Sequence, residues 1–286
     1  MAIRNLFNHR FNHRPRVAFV LGGGGNLGAI QVGQLRALLE HRIVPDLVVG
    51  CSVGALNGAA IAGSPTLEEV DRLAELWRGL GPQDVFPASR WGRGPWMFVR
   101  NGPSAFPDHG LRRIIEGWLR YRTFEEARVP LWVVATSLRT GAERWFGSGD
   151  VTRPLMASTA LPGVFPPVRI DGEDLIDGGV VNNVPVSRAF AVRARRVYVL
   201  DVGALERARP EPRRPYEVLL QAVSIARASR LRIEQENVPE GVQLIRLPAV
   251  DVGKLRYDNF SRTAELIERA HEATSSFLSG ASAHSA

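Results

Sequence analysis

A chain of 286 residues can bury a large core and suits one large domain, or one domain plus an appendage. Hydrophobic residues make up 45% and charged residues 23%, both ordinary for a soluble globular protein. The net charge is +7, and Lys254 is the only lysine, so arginine supplies nearly all the positive charge. A basic surface favours anionic partners, either nucleic acid or an anionic membrane. No aromatic-basic cassette of a nucleic-acid module is present, so a lipid surface is favoured and no nucleic-acid partner is expected; a solvated, arginine-rich surface is the alternative. The single cysteine, Cys51, excludes an intrachain disulfide and a multi-cysteine metal site. No apolar run reaches the length of a membrane span, and no uninterrupted apolar run follows Met1, so neither a transmembrane helix nor a secretory leader is expected. The default location is the cytoplasm, with peripheral contact at a membrane as the extension of the charge argument.

Residues 1–15 form a basic arm with a tandem duplication, Phe7-Asn8-His9-Arg10 then Phe11-Asn12-His13-Arg14. A helix here would put Phe7 and Phe11 on one face, suited to a membrane surface. A disordered tail is the competing reading. Val17-Ala18-Phe19-Val20-Leu21 reads as a buried strand. It enters the glycine loop at 22–28, and residues 29–40 read as a helix. Such a loop exposes backbone N–H groups to an anion. Gly23, Gly25 and Gly28 fit the dinucleotide pattern G-x-G-x-x-G. That reading wants an acidic residue at the end of the next strand, and Asp46 precedes its strand instead. An oxyanion hole is the other use of the same geometry.

The next strand, Leu47-Val48-Val49, runs into Gly50-Cys51-Ser52-Val53-Gly54, a G-x-S-x-G pentapeptide followed by small apolar residues that read as a helix. Glycine is common in this chain, so the pentapeptide alone is weak, but strand-turn-helix context is what a nucleophile elbow requires. Ser52 is the candidate nucleophile, Gly50 and Gly54 the small neighbours, and the Val53 N–H a donor to developing negative charge. If the two strands are joined by a right-handed crossover, both loops lie at one edge of the sheet. The glycine loop then reads as the oxyanion hole for Ser52.

Thr66 and Glu69 have the spacing of a capping box opening a helix to about residue 80. Residues 81–106 are dense in Pro, Gly and aromatics and do not read as regular structure. A mobile flap over an acyl-chain site and a long packed loop weigh evenly. Residues 111–119 read as a helix, 131–135 and 143–146 as strands, and 151–158 as a helix. A Pro/Gly-punctuated apolar loop follows at 157–167. Asp177-Gly178-Gly179 follows an apolar run; from spacing alone, a turn aspartate and a catalytic base both remain open. Residues 196–200 read as a strand, 207–215 as a linker, 216–236 as a helix, 242–247 as a strand and 261–278 as a terminal helix. The small polar tail from about 279 is expected to be disordered. No cluster of His, Cys and carboxylates has metal-ligand spacing, so no metal and no cofactor are expected. A histidine triad would have to use Ser52, Asp201 and His271, but His271 falls in a helical pattern.

These blocks together resemble the patatin-like phospholipases. The resemblance covers residues 16–201 and rests on 21–28, 50–54, 157–167, and Asp177-Gly178-Gly179 with Asn183 and Pro185. It implies an α/β fold related to the α/β-hydrolases, with a mainly parallel central sheet between helical layers. It also implies a Ser–Asp dyad: Ser52 as nucleophile, Asp177 as base, and amides around Gly23, Gly24 and Gly25 as oxyanion donors. The implied division is a basic arm at 1–15, a catalytic domain at 16–205, and a mostly helical extension at 206–286 packing on it. The implied substrate is a lipid ester. An esterase or thioesterase for small acyl compounds, and a weakly active lipid-binding regulatory protein, are the alternatives. One position departs from the pattern: many members carry Arg or Lys just before the last glycine of the first loop, and Leu27 stands here. The oligomeric state is open.

Overall fold

The structure, a computed structural model, describes residues 14–86, 104, 106–202, 215–253 and 259–283. The chain begins with β1 (Val17–Leu21), α1 (Gly28–Glu40), β2 (Leu47–Cys51) and α2 (Val53–Gly63). Then come α3 (Leu67–Gly79), the short α4 (Pro82–Val85), α5 (His109–Trp118), β3 (Leu131–Ser137) and β4 (Glu143–Phe146). They are followed by α6 (Thr152–Ser158), β5 (Val168–Ile170), β6 (Glu173–Asp177), α7 (Val186–Ala191) and β7 (Arg196–Leu200). The chain continues through α8 (Pro215–Glu236), β8 (Gln243–Arg246) and α9 (Thr263–Ala283).

β1 and β2 are buried along their whole length, as strands covered on both faces must be. They pair in parallel, β3 and β7 flank them in parallel, and β8 pairs in parallel beyond β7. Alternation divides the strand side chains between two cores. Phe19, Leu21 and Val48 face a core shared with α1, α2, α3, α5 and α9. Ala18, Val20, Leu47 and Val49 face the other, shared with α7 and Leu231 of α8. The result is a three-layer α/β fold with a mainly parallel sheet.

One edge breaks the parallel pattern and decides where the site forms. Val133 and Val134 of β3 pair with both β2 and β4; Ala135 and Thr136 pair with both β4 and β6. A strand has two edges, so β4 occupies one, and β2 and β6 share the other end to end. β2 stops at Cys51 opposite Val134, and the antiparallel β6 stops at Asp177 opposite Ala135. The two strands therefore abut, with Ser52 and Asp177 at the junction.

Several local expectations come out differently. Thr66 caps α3 by accepting from the Glu69 N–H at 3.3 Å, but the Glu69 carboxylate pairs with Arg72 instead of completing the box. β5 and β6 form a hairpin whose turn residues, Asp171 and Gly172, have φ of 50° and 79°. An Asp-Gly pair at a two-residue turn is a hairpin signal. α9 runs past residue 279 to Ala283, where a disordered tail was expected; the alanines there are good helix formers. Most of 81–106, the 207–214 linker and the duplication at 7–14 up to His13 lie outside the described residues.

Candidate active site

Ser52 occupies the turn between β2 and α2 with φ 53° and ψ −127°, a conformation that side chains rarely adopt. The turn is possible because the residues two places to either side, Gly50 and Gly54, have no side chains. A Cβ on Gly50 would lie 2.5 Å from the Ala55 Cα, and one on Gly54 would lie 2.3 Å from the Leu21 carbonyl oxygen. The Ser52 N–H donates to the Ser158 hydroxyl at 2.9 Å. That contact was not legible in the sequence, because Ser158 reads only as a polar residue at the end of a helix.

The Ser52 hydroxyl donates to Asp177 Oδ2 at 2.7 Å. Asp177 Oδ1 accepts from the Gly179 N–H at 2.7 Å, so both carboxylate oxygens are held. The Asp177 N–H donates to the Ala160 carbonyl at 2.9 Å, which ties the 157–167 loop to the site. Asp177 is 3% exposed. Burial pushes its pKa above the ordinary carboxylate value; the Ser52 hydrogen bond, the charge of Arg227 and the Gly179 N–H act against that rise. Cys51 lies beside the pair, with Sγ 4.0 Å from Asp177 Oδ1. Burial and the neighbouring carboxylate push its thiol well up, so it remains protonated beside the serine.

The glycine loop is clamped against this centre from the far side. The Gly23 N–H donates to the Asn183 carbonyl at 2.9 Å, and Asn183 Nδ2 donates back to the Gly23 carbonyl at 3.2 Å. This corrects one expectation: the Gly23 N–H is committed to Asn183, which removes it from the expected donor set. Gly24, Gly25 and Val53 line the cavity in front of Ser52. Gly178 and Gly179 let the chain turn close by, since a Cβ on Gly178 would lie 2.3 Å from the Val134 carbonyl oxygen. Gly28 opens α1 against Val53 and Trp77. Leu27 is turned into the main core and brings no charge to the site.

A buried polar chain holds the loop from behind. Gln31 Nε2 donates to the Gly22 carbonyl at 2.7 Å and to the Leu200 carbonyl at 3.0 Å. Asn57 Nδ2 donates to Gln31 Oε1 and to the Gly28 carbonyl, and Trp77 Nε1 donates to Asn57 Oδ1. The chain ties α1 to the glycine loop, β7 and α2, and α2 to α3, which fixes the geometry behind the loop at the cost of burying amides.

The centre opens into a cavity of about 270 Å³. Leu56, Trp77, Val85, Phe86, Trp118 and Phe165 form its apolar part, and Asn26, Asn183 and Arg227 belong to its polar lining. Phe86 packs on Phe106 and stacks on Phe165 at 5.9 Å, so both described ends of the 81–106 segment adjoin this wall. The alternative partners lie elsewhere. His271 bonds Glu40 at 2.6 Å, Asp201 pairs with Arg246, and Asp46 accepts from the N–H groups of Arg16 and Val17. Asp46 thus anchors the start of β1, which accounts for the acidic residue without a ribose.

Such a geometry fits acyl transfer: a hydroxyl on a strained turn, a carboxylate in contact with it, and an apolar chamber beside them. The Patatin-like phospholipase family matches residues 19–190. The chain belongs to the patatin-like phospholipase family. Patatin-like phospholipase domain-containing protein 7 of Rattus norvegicus is 32% identical over 192 residues, which is 66% of this chain and 14% of that protein. Lysophospholipase NTE1 of Yarrowia lipolytica is 32% identical over 202 residues, 68% of this chain and 13% of that protein. This patatin-like chain thus matches about one seventh of the length of these relatives. Among solved structures, VipD from Legionella pneumophila matches with a TM-score of 0.50 at 14% identity, covering 94% of this chain and 67% of that one. That likeness covers a larger share of the chain than the matched 19–190.

Proposed function

We propose that this chain is a serine acyl hydrolase that cleaves lipid esters through a Ser52–Asp177 dyad. The observation that carries the reading is the 2.7 Å contact between the two side chains in the lining of a largely apolar cavity. Asp177 takes the Ser52 proton as Oγ attacks the ester carbonyl. The carbonyl oxygen gains negative charge and faces the amides of Gly24, Gly25 and Val53. Asp177 returns the proton to the departing alcohol, leaving an acyl-serine. Water then attacks the acyl carbonyl, gives its proton to Asp177, and releases the fatty acid as Ser52 is reprotonated. Burial suits Asp177 to this work, because a carboxylate of raised pKa is a better base.

The apolar chamber accommodates the acyl chain. Membership of a phospholipase family, and relatives that include a lysophospholipase, support a lipid ester over a small soluble one. No helix among the described residues is long and apolar enough to cross a membrane.

Hydrolysis rates on lysophospholipid and on short-chain p-nitrophenyl esters test this directly. The expected result is turnover of the lysophospholipid that falls at least about a thousandfold in Ser52→Ala. Turnover confined to the short esters would replace the lipid by a small acyl substrate. Liposome binding by folded protein without turnover of either would overturn the hydrolase reading.

A further inference from the structure

The cavity contains a cation that the proposed reaction does not use. Arg227 belongs to α8, outside the residues 19–190 matched by the family. Its side chain lines the same cavity as Ser52 and Asp177. Its Nε is buried without a hydrogen-bond partner among the described residues. A guanidinium has five N–H donors in a fixed fork, and burying one unused is costly. The hydrogen bonds to the Asp177 oxygens come from Ser52 and from the Gly179 N–H, not from Arg227. The glycine loop offers no competing charge, since residues 22–28 contain none and Leu27 is in the core.

The neighbouring turn of α8 explains why Arg227 is held there. Arg230 pairs with Glu143 of β4 and with Glu234 of its own helix. Glu143 Oε1 also accepts from Asn182 Nδ2, five residues after Asp177. Arg227 and Arg230 are three residues apart and share a helix face. The clamp that ties α8 to the Asp177 loop therefore presents Arg227 to the cavity.

An ester at Ser52 has two arms. The acyl arm fits the apolar side of the chamber, which leaves the alcohol arm to its polar side. Among the described lining residues, the charged side chains are Asp177 and Arg227. We propose that Arg227 binds a phosphate group on the alcohol arm, so that the site prefers phosphate-bearing lysolipids to neutral acylglycerols. The proposal rests on the hydrolase reading above. A guanidinium fork matches two phosphate oxygens at once, which makes arginine the apt residue type.

The test compares two esters with the same acyl chain, hexanoyl-lysophosphatidic acid and monohexanoylglycerol, as monomers at mildly alkaline pH. Wild type, Arg227→Gln and Arg227→Lys are measured on both. The ratio of kcat/KM values, phosphate ester over neutral ester, is expected to fall about tenfold or more in Arg227→Gln, mainly through KM. Arg227→Lys is expected to recover part of the ratio, since a point cation still attracts phosphate without the fork. Inorganic phosphate is the second probe. Weak competition by it, lost in Arg227→Gln, is expected of a headgroup site; competition stronger than the phosphate ester's own affinity would make free phosphate the ligand and overturn the headgroup proposal. An unchanged ratio in Arg227→Gln, or a wild type that cleaves only the neutral ester, would overturn the proposal and leave the hydrolase reading standing. Failure of the wild type to cleave either ester would overturn both.

Discussion

Asp177 carries two opposed demands in the proposed reaction. It must be buried to be a useful base, and burial works against its charged form. Its pKa in the fold lies above the ordinary carboxylate value, so in the intervening pH window the unfolded chain loses this proton first. Stability contributed by this residue therefore falls as pH rises through that window. Asp177→Asn removes the penalty and keeps an acceptor for the Gly179 N–H. The expected result is a Tm above wild type at neutral pH, with the gap closing as pH falls below the ordinary carboxylate range. Activity is expected to drop about 10²- to 10⁴-fold in the same variant, the usual worth of a general base. A Tm below wild type at neutral pH would contradict the burial argument. Arg227 favours the ionised carboxylate, so Arg227→Gln is expected to move the rising limb of the kcat/KM profile to higher pH. An unmoved limb would mean that the cation does not influence the dyad.

At the scale of elements, the site depends on how closely α1 lies against its neighbours, because α1 follows directly from the glycine loop. Gly33 is where α9 crosses it: a Cβ there would lie 2.1 Å from the Ile267 carbonyl oxygen and 2.7 Å from the His271 nitrogen. Backbone cannot yield as a flexible side chain can, so Gly33→Ala is expected to cost about 1–3 kcal/mol by forcing the helices apart. Gly117 in α5 is the contrasting case, exposed and with nothing within 4 Å of the added Cβ. Gly117→Ala is expected to gain about 0.5–1 kcal/mol through helix propensity. Urea midpoints of the two variants check both signs. Equal effects would show that the α1–α9 approach is not tight.

For the molecule as a whole, the sequence displayed what is local and concealed what is assembled. Apolar runs such as 17–21 and 47–49 announced buried parallel strands, and the glycines around Ser52 announced the elbow, because each depends only on adjacent residues. Asp177 was legible as a candidate but not by spacing alone; the decisive fact is that β6 meets β2 end to end along one edge of β3, a pairing 125 residues apart in its contact. Ser158, Asn183 and Gln31 hold the site through bonds to backbone atoms of distant segments, and such contacts leave no periodic or compositional trace. The family resemblance implies Gly23 among the oxyanion donors, but its N–H bonds the carbonyl of Asn183, 160 residues away. Arg227 had no signal, being one arginine among many in a basic chain.

The central claim is that Asp177 activates Ser52. A fluorophosphonate probe followed by mass spectrometry tests it on the wild type, Ser52→Ala and Asp177→Asn without any assumption about the lipid. An adduct on Ser52 in the wild type, absent from Ser52→Ala and formed at least about 100-fold more slowly in Asp177→Asn, is the expected result. An adduct at another residue, no adduct on folded wild type, or equal labelling of Asp177→Asn would contradict it.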